Sequence, residues 1–203
     1  MVLFNYEKKG NAVYLPHLDV LRAVVRTIRR AGLDVKYSEG YNPHTLLYFS
    51  PPAPLGVASE CEQCAAVTDE QPDVFMERYN KAAQDGLKIL KAEYVEKANP
   101  AAEIKAAEYE ITFAGADSLP LEDILKEKTL TAKWKDKDGS EISKDIRGGL
   151  ISLERAGENT LRCQLAAGNE NLRADRFIGA AAEYAGLDVS NLDITITRKK
   201  LFK

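Results

Sequence analysis

Apolar and polar positions along this chain repeat with two different periods. From Val2 to Lys9 they alternate, as in a strand with one buried face, and Gly10-Asn11 turns the chain. Ala12 to Leu15 leads into a helix over residues 17–31. There Leu18, Leu21, Val25 and Ile28 recur at spacings of three and four, which predicts one apolar face. Gly32 is the left-handed residue expected after the helix end. Leu33 to Tyr37 is short and extended. Thr45 to Phe49 and Glu60 to Thr68 read as strands on either side of Pro51-Pro52-Ala53-Pro54. Asp73 to Gln84 reads as a helix with Phe75, Tyr79 and Ala82 inward, ended near Gly86, and Leu87 to Val95 reads as a strand.

After a polar, alanine-rich stretch at 96–106 the pattern starts again. Ala107 to Phe113 is strand-like, Leu119 to Lys128 helical with Pro120 in its first turn, and Leu130 to Lys135 strand-like before the Asp138-Gly139 turn. Gly149 to Arg155 and Thr160 to Ala166 alternate around Gly157-Glu158-Asn159. Asn171 to Ala185 is a helix ended by Gly186, and Leu192 to Arg198 is a last strand. Two runs of β-α-β-β-α-β predict an α+β fold of two tandem ferredoxin-like sandwiches with mostly antiparallel sheets, over residues 1–98 and 104–203. One mixed α+β domain is the alternative. The string AGLDV at 31–35 and 185–189 follows the first helix of one half and the second of the other, so it reads as one helix-stop device used twice.

Composition adds limits. The 203 residues are 45% hydrophobic and 29% charged, which is ordinary for a folded protein and excludes wholesale disorder. No apolar run reaches the roughly 20 residues of a membrane span, and no membrane partner is expected. Three cysteines are too few for a disulfide framework, which points to the cytoplasm. The net charge of −3 is unevenly spread. Residues 1–59 are net +3 and residues 60–110 net −6, a distribution at odds with a general polyanion binder but compatible with a local anion site.

That positive charge gathers on the first helix. Arg22, Arg26, Arg29 and Arg30 form a stripe beside the predicted apolar face, and Asp19 is placed to pair with Arg22 one turn on. Arginine's planar fork suits phosphate or carboxylate, and lysine is absent from the stripe. A solvated face paired with the acidic middle segment is the plainer reading. The two histidines flank this region: His17 at the helix start and His44 after the loop Ser38-Glu39-Gly40-Tyr41-Asn42-Pro43. Cys61-Glu62-Gln63-Cys64 resembles a metal-binding spacing, but in a strand its cysteines point to opposite faces, so neither a metal nor a cofactor is expected. The third cysteine, Cys163, lies far away in the chain. No phosphate-cradling glycine loop, dinucleotide fingerprint or nucleophile elbow is present. Trp134, between Lys133 and Lys135, could stack on a nucleic-acid base, although packing on one face of its strand is the commoner use.

The stretch from His17-Leu18-Asp19 through Arg29-Arg30-Ala31-Gly32-Leu33, Gly40-Tyr41-Asn42-Pro43-His44 and Pro54-Leu55-Gly56 to Ser59-Glu60 resembles the signature of the radical-SAM-linked protein family. That family is a module of unknown function, found alone or at the C-terminus of cobalamin-binding-type radical SAM proteins. Weaker similarity continues through Lys144-Asp145-Ile146-Arg147 to Ile196-Thr197-Arg198. Two positions depart from the family pattern: Pro16 stands where serine usually precedes His-Leu-Asp, and Thr45 where proline usually follows Asn-Pro-His.

The resemblance implies a radical SAM protein as partner, with RNA as a further candidate. The chain lacks the cysteine triad that would hold an iron–sulfur cluster, so it is expected to be an accessory or substrate-binding module rather than an enzyme by itself. Its expected binding residues are His17, Asp19, Arg22, Arg26, Arg29, Arg30, Glu39, Asn42 and His44. An enzyme using His17, Asp19, Glu39 and His44 as acid–base groups, and a plain interaction scaffold, are the alternatives.

Overall fold

The structure is a computed structural model that describes residues 1–203, the side chain of Asn169 excepted. The chain forms two compact units, Met1–Ile104 and Lys105–Lys203, each a mixture of helices with a mostly antiparallel sheet.

In the first unit β1 (Val2–Lys8) is followed by a 3₁₀ turn (Gly10–Tyr14) and α1 (His17–Arg30). Next come β2 (Leu47–Phe49), β3 (Ala58–Ala66), α2 (Pro72–Ala82), β4 (Ile89–Tyr94) and a single turn, α3 (Pro100–Glu103). β1 lies between β4 and β3, and β2 pairs with β3, every pairing being antiparallel. The even positions of β1, Val2, Phe4 and Tyr6, share a core with Cys64 and Ala66 of β3 and with Val20, Val24, Ile28, Phe75 and Tyr79 of the two helices. Phe4 sits at the centre, its ring centroid 5.5 Å from Phe75 and 5.9 Å from Tyr79.

The apolar face of α1 is turned about a quarter of a circle from the one the spacing predicts. Val20, Val24, Thr27 and Ile28 are buried, while Leu18 is 63% exposed. The helix carries two overlapping apolar stripes that share Ile28, and spacing alone does not choose between them. Thr27 can face the core because its hydroxyl donates to the Ala23 carbonyl one turn back, at 2.9 Å. The turn places the arginine stripe across the helix from the core rather than beside the core face.

The helix stops as the sequence predicts. Gly32 takes a φ of 62°, its N–H donates to Arg29 and the N–H of Leu33 donates to Ile28. Arg78 of α2 then donates from Nε and Nη2 to the Ala31 carbonyl, at 3.2 and 2.9 Å, and from Nη2 to that of Gly32, while Nη1 pairs with Glu70 at 2.9 Å.

The second unit runs β5 (Ala106–Thr112), α4 (Leu121–Lys126), β6 (Thr131–Lys135), β7 (Glu141–Asp145), β8 (Leu150–Gly157), β9 (Thr160–Ala166), α5 (Ala174–Tyr184) and β10 (Thr195–Phe202). β5 lies between β10 and β9, and β8 pairs with β9, again all antiparallel. The strand expected at 130–135 does not join this sheet. It pairs with β7, which the sequence reading missed, in a separate two-stranded ribbon. The ribbon lies on α5, where Lys133 pairs with Glu183 and the Arg176 guanidinium sits 3.8 Å from the centre of the Trp134 ring. Phe177, Ile178, Ala181 and Ala182 are buried on the other side of α5. Among the described residues no helix is long and apolar enough to cross a membrane.

Candidate functional site

The site builds outward from the start of α1. Pro16, extended at φ −60° and ψ 156°, is its N-cap, and its carbonyl takes the N–H groups of Asp19 and Val20 at 2.9 and 3.0 Å. A proline has no side-chain oxygen to cap the free N–H groups, so the helix start lacks that bond. The His17 ring meets Phe49 of β2 edge-on, with centroids 6.0 Å apart.

Asp19, Arg22, Arg26 and Arg30 line one open groove of about 330 Å³ with Leu15, Ala23 and Gln84. Arg22 pairs with Asp19 at 3.0 Å. Arg30 reaches over to α2, donating to the Ala82 carbonyl at 3.0 Å and to the Thr27 hydroxyl at 3.1 Å. Among the described residues none of the four arginines forms an ion pair with the acidic segment at 60–110, and Arg26 forms no ion pair at all. The groove therefore holds three guanidinium groups against one carboxylate, with Arg26 uncommitted. Such a surface can take a phosphate or carboxylate by charge-assisted hydrogen bonds.

The other expected residues are not in this groove. Arg29 is exposed on α1. Residues 38–44 close a loop on itself: Ser38 N–H donates to the His44 carbonyl at 2.8 Å, His44 N–H donates to the Ser38 hydroxyl at 3.0 Å, and that hydroxyl lies 2.8 Å from His44 Nδ1. Gly40 takes a φ of 115°, and the loop holds Glu39, Asn42 and a fully exposed Tyr41 out in solvent. His44 thus has a local structural partner. No hydrogen bond or ion pair among the described residues joins His17, Asp19, Glu39 and His44 into an acid–base set.

Leu15, Ala23 and Gln84 were missed as groove residues. Gln84 lies more than fifty residues from the helix start, and only the packing of α2 against α1 brings it there.

The loop before β3 is a second feature. It carries Pro54-Leu55-Gly56 and is pinned from inside. Ser50 N–H donates to the Gln63 carbonyl at 2.9 Å, and Gln63 N–H donates back to the Ser50 hydroxyl at 3.1 Å. The N–H of Ala53 donates to buried Glu62 at 3.2 Å. The buried Lys8 ammonium donates to the carbonyls of Ala53 and Pro54 at 3.4 and 3.3 Å, and Gly56 N–H donates to Val13 at 2.9 Å. Leu55 is left 61% exposed.

Cys61 and Cys64 both lie in β3 and are buried, three residues apart in a strand and so on opposite faces. Burial pushes the Cys64 thiol well up, and burial with the nearby Glu108 carboxylate pushes Cys163 up to about 12. Neither is a ready nucleophile near neutral pH. Among the described residues no three His, Cys, Asp or Glu side chains gather as a metal ion would require.

Residues 2–174 match a family described as an uncharacterised protein conserved in bacteria (DUF2344). No curated protein matches the chain.

Proposed function

The chain belongs to this family of uncharacterised bacterial proteins, and from that premise we propose that it is a binding module serving a radical SAM enzyme, without a reaction of its own. The arginine groove along α1 carries the reading. It offers an anion three guanidinium groups against the single carboxylate of Asp19, while His44 is held by Ser38 and Glu39 stands apart in solvent. The groove would take acidic groups of the enzyme or the phosphates of an RNA substrate, with the exposed Leu18 beside it adding apolar contact. The same proposal takes each unit as a ferredoxin-like sandwich. In support, the pairings run β4-β1-β3-β2 in one and β10-β5-β9-β8 in the other, with the β6–β7 ribbon an insertion in the second.

The test is a pull-down from the native host against the radical SAM partner and against total RNA. The variants are Arg26→Glu with Arg30→Glu, and Arg26→Glu alone. The single variant breaks no internal hydrogen bond among the described residues, so its far-UV circular dichroism should match the parent's. Both variants should lose at least one of the two interactions. If both interactions survive in both variants, or if the purified chain turns over a small substrate unaided, the proposal fails.

A further inference from the structure

The second unit holds a cavity of its own. About 340 Å³ opens between the β6–β7 ribbon, the turn at 147–149 and the start of α5, within the size range of small-ligand sites. Gly149 closes one side: a Cβ there would lie 2.9 Å from that of Leu172, so the turn and the residue-172 segment are packed as closely as a glycine permits.

The side chains facing this cavity divide by what they are free to do. Arg173 is neutralised by a two-pronged pairing with Asp175, at 2.9 and 2.6 Å. Asp145 is committed to the backbone, its Oδ1 accepting from the N–H groups of Leu130 and Arg147 at 2.9 and 3.0 Å. Lys144, Arg176 and Glu170 also line the cavity and form no ion pair among the described residues. Arg176 is not idle, because its guanidinium carbon lies over the Trp134 ring, 3.8 Å from the ring centre, in a cation–π contact.

We propose that this cavity binds a mononucleotide. Its base would lie on the platform formed by Arg176 and Trp134, since a planar π-system stacks on either group. Its phosphate would meet the Lys144 ammonium, and the ribose hydroxyls would donate to the Glu170 carboxylate. A bare phosphate would leave the aromatic platform unused, and a neutral nucleoside would leave Lys144 unanswered. The cavity's volume suits one nucleotide rather than a longer strand. This inference goes beyond the role proposed for the α1 groove and does not depend on it.

Trp134 is the only tryptophan in the chain and lines this cavity, so its fluorescence reports on the cavity and the ribbon around it. The full-length protein is titrated with AMP, UMP, adenosine and inorganic phosphate, with equilibrium dialysis of labelled AMP as a second readout. A saturable emission change with AMP or UMP is expected, with adenosine and phosphate each binding at least about tenfold more weakly. Lys144→Ala and Arg176→Ala should each weaken AMP by about tenfold or more while the far-UV spectrum stays unchanged. If Arg176→Ala does not fold, Lys144→Ala and dialysis carry the test. The proposal is overturned by the absence of saturation at millimolar nucleotide, by phosphate or adenosine binding as tightly as AMP, or by Lys144→Ala binding AMP like the parent.

Discussion

Each unit holds the end of its first helix with an arginine brought from elsewhere in the chain, but the two helices need that arginine to different degrees. Arg78 donates to Ala31 and Gly32 after α1, a helix of 14 residues that already closes itself through Gly32 and Leu33. Arg147 donates to the carbonyls of Leu125 and Glu127 at 2.7 and 3.1 Å, and to Leu150 at 3.0 Å. The helix it holds, α4, has six residues and no such glycine stop. A helix that short is not stable alone. The first unit can therefore present chemistry along the solvent side of a long helix, and it does so with arginines. The first helix of the second unit cannot, and that unit's exposed chemistry gathers where the inserted β6–β7 ribbon meets α5, around Trp134 and Arg176.

The largest expected contrast lies after the second helix of each unit. Gly86 and Gly186 have left-handed φ values of 82° and 69°. A Cβ at Gly86 would fall 2.2 Å from the Lys9 carbonyl oxygen, whereas at Gly186 it meets open space. Gly86→Ala should cost about 3 kcal/mol or more in urea unfolding, and Gly186→Ala about 1 kcal/mol.

The arginine caps come next. Arg147→Met should cost about 2 kcal/mol and change the emission of Trp134, because the lost guanidinium holds the Glu127 carbonyl, four residues before the ribbon strand β6 begins. Arg78→Met should cost less, about 1 kcal/mol by calorimetry, because α1 keeps its own closure through Gly32 and Leu33, and it should leave that emission alone. Equal fluorescence changes in both variants would erase the distinction between the units.

Acid should also separate them. Backbone N–H groups from Arg147 and Leu130 hold Asp145 below the ordinary carboxylate value, and the Ser140 side chain and N–H do the same for Asp138. Carboxylates with lowered native pKa values stabilise the fold above their unfolded pKa, and that stability disappears as pH falls through the native one. Both residues belong to the ribbon or its turn. Below about pH 4, Trp134 emission should therefore change before far-UV ellipticity is lost, and Asp145→Asn should diminish the early step, leaving the part that belongs to Asp138.

The smallest effect is a gain. Gln71, extended at φ −72° and ψ 139°, caps α2 without a side-chain hydrogen bond. Gln71→Ser should add about 0.5–1 kcal/mol by thermal unfolding.

Much of this was legible locally. The order of the principal helices and sheet strands follows from periodicity and from Gly32, Gly86 and Gly186. The repeated AGLDV does what its sequence implies, with Leu187 N–H donating to Ala182 as Leu33 does to Ile28. What escaped depends on distant partners. The rotation of α1 buries Val20 and Val24 with Thr27, whose hydroxyl is satisfied on its own helix, and the spacing of apolar residues does not show it. The β6–β7 ribbon was hidden because β7 is mostly exposed and lacks a clear apolar alternation. Arg22, Arg26 and Arg30 were visible as a stripe, but nothing in their spacing says that Gln84 completes the groove. Nor does spacing place Arg176 over Trp134, some forty residues earlier.

The loop of Pro51, Pro52 and Pro54 ends in an exposed leucine, yet buried Lys8 and Glu62 hold its backbone from beneath. Fixing the backbone of a flexible loop costs about 1–2 kcal/mol of entropy per residue. Here the proline rings and the buried charges have already removed most of that freedom in the folded chain. A molecule that touches Leu55 meets a surface with little disorder left to lose, so its affinity reflects the contact itself rather than the cost of ordering the loop.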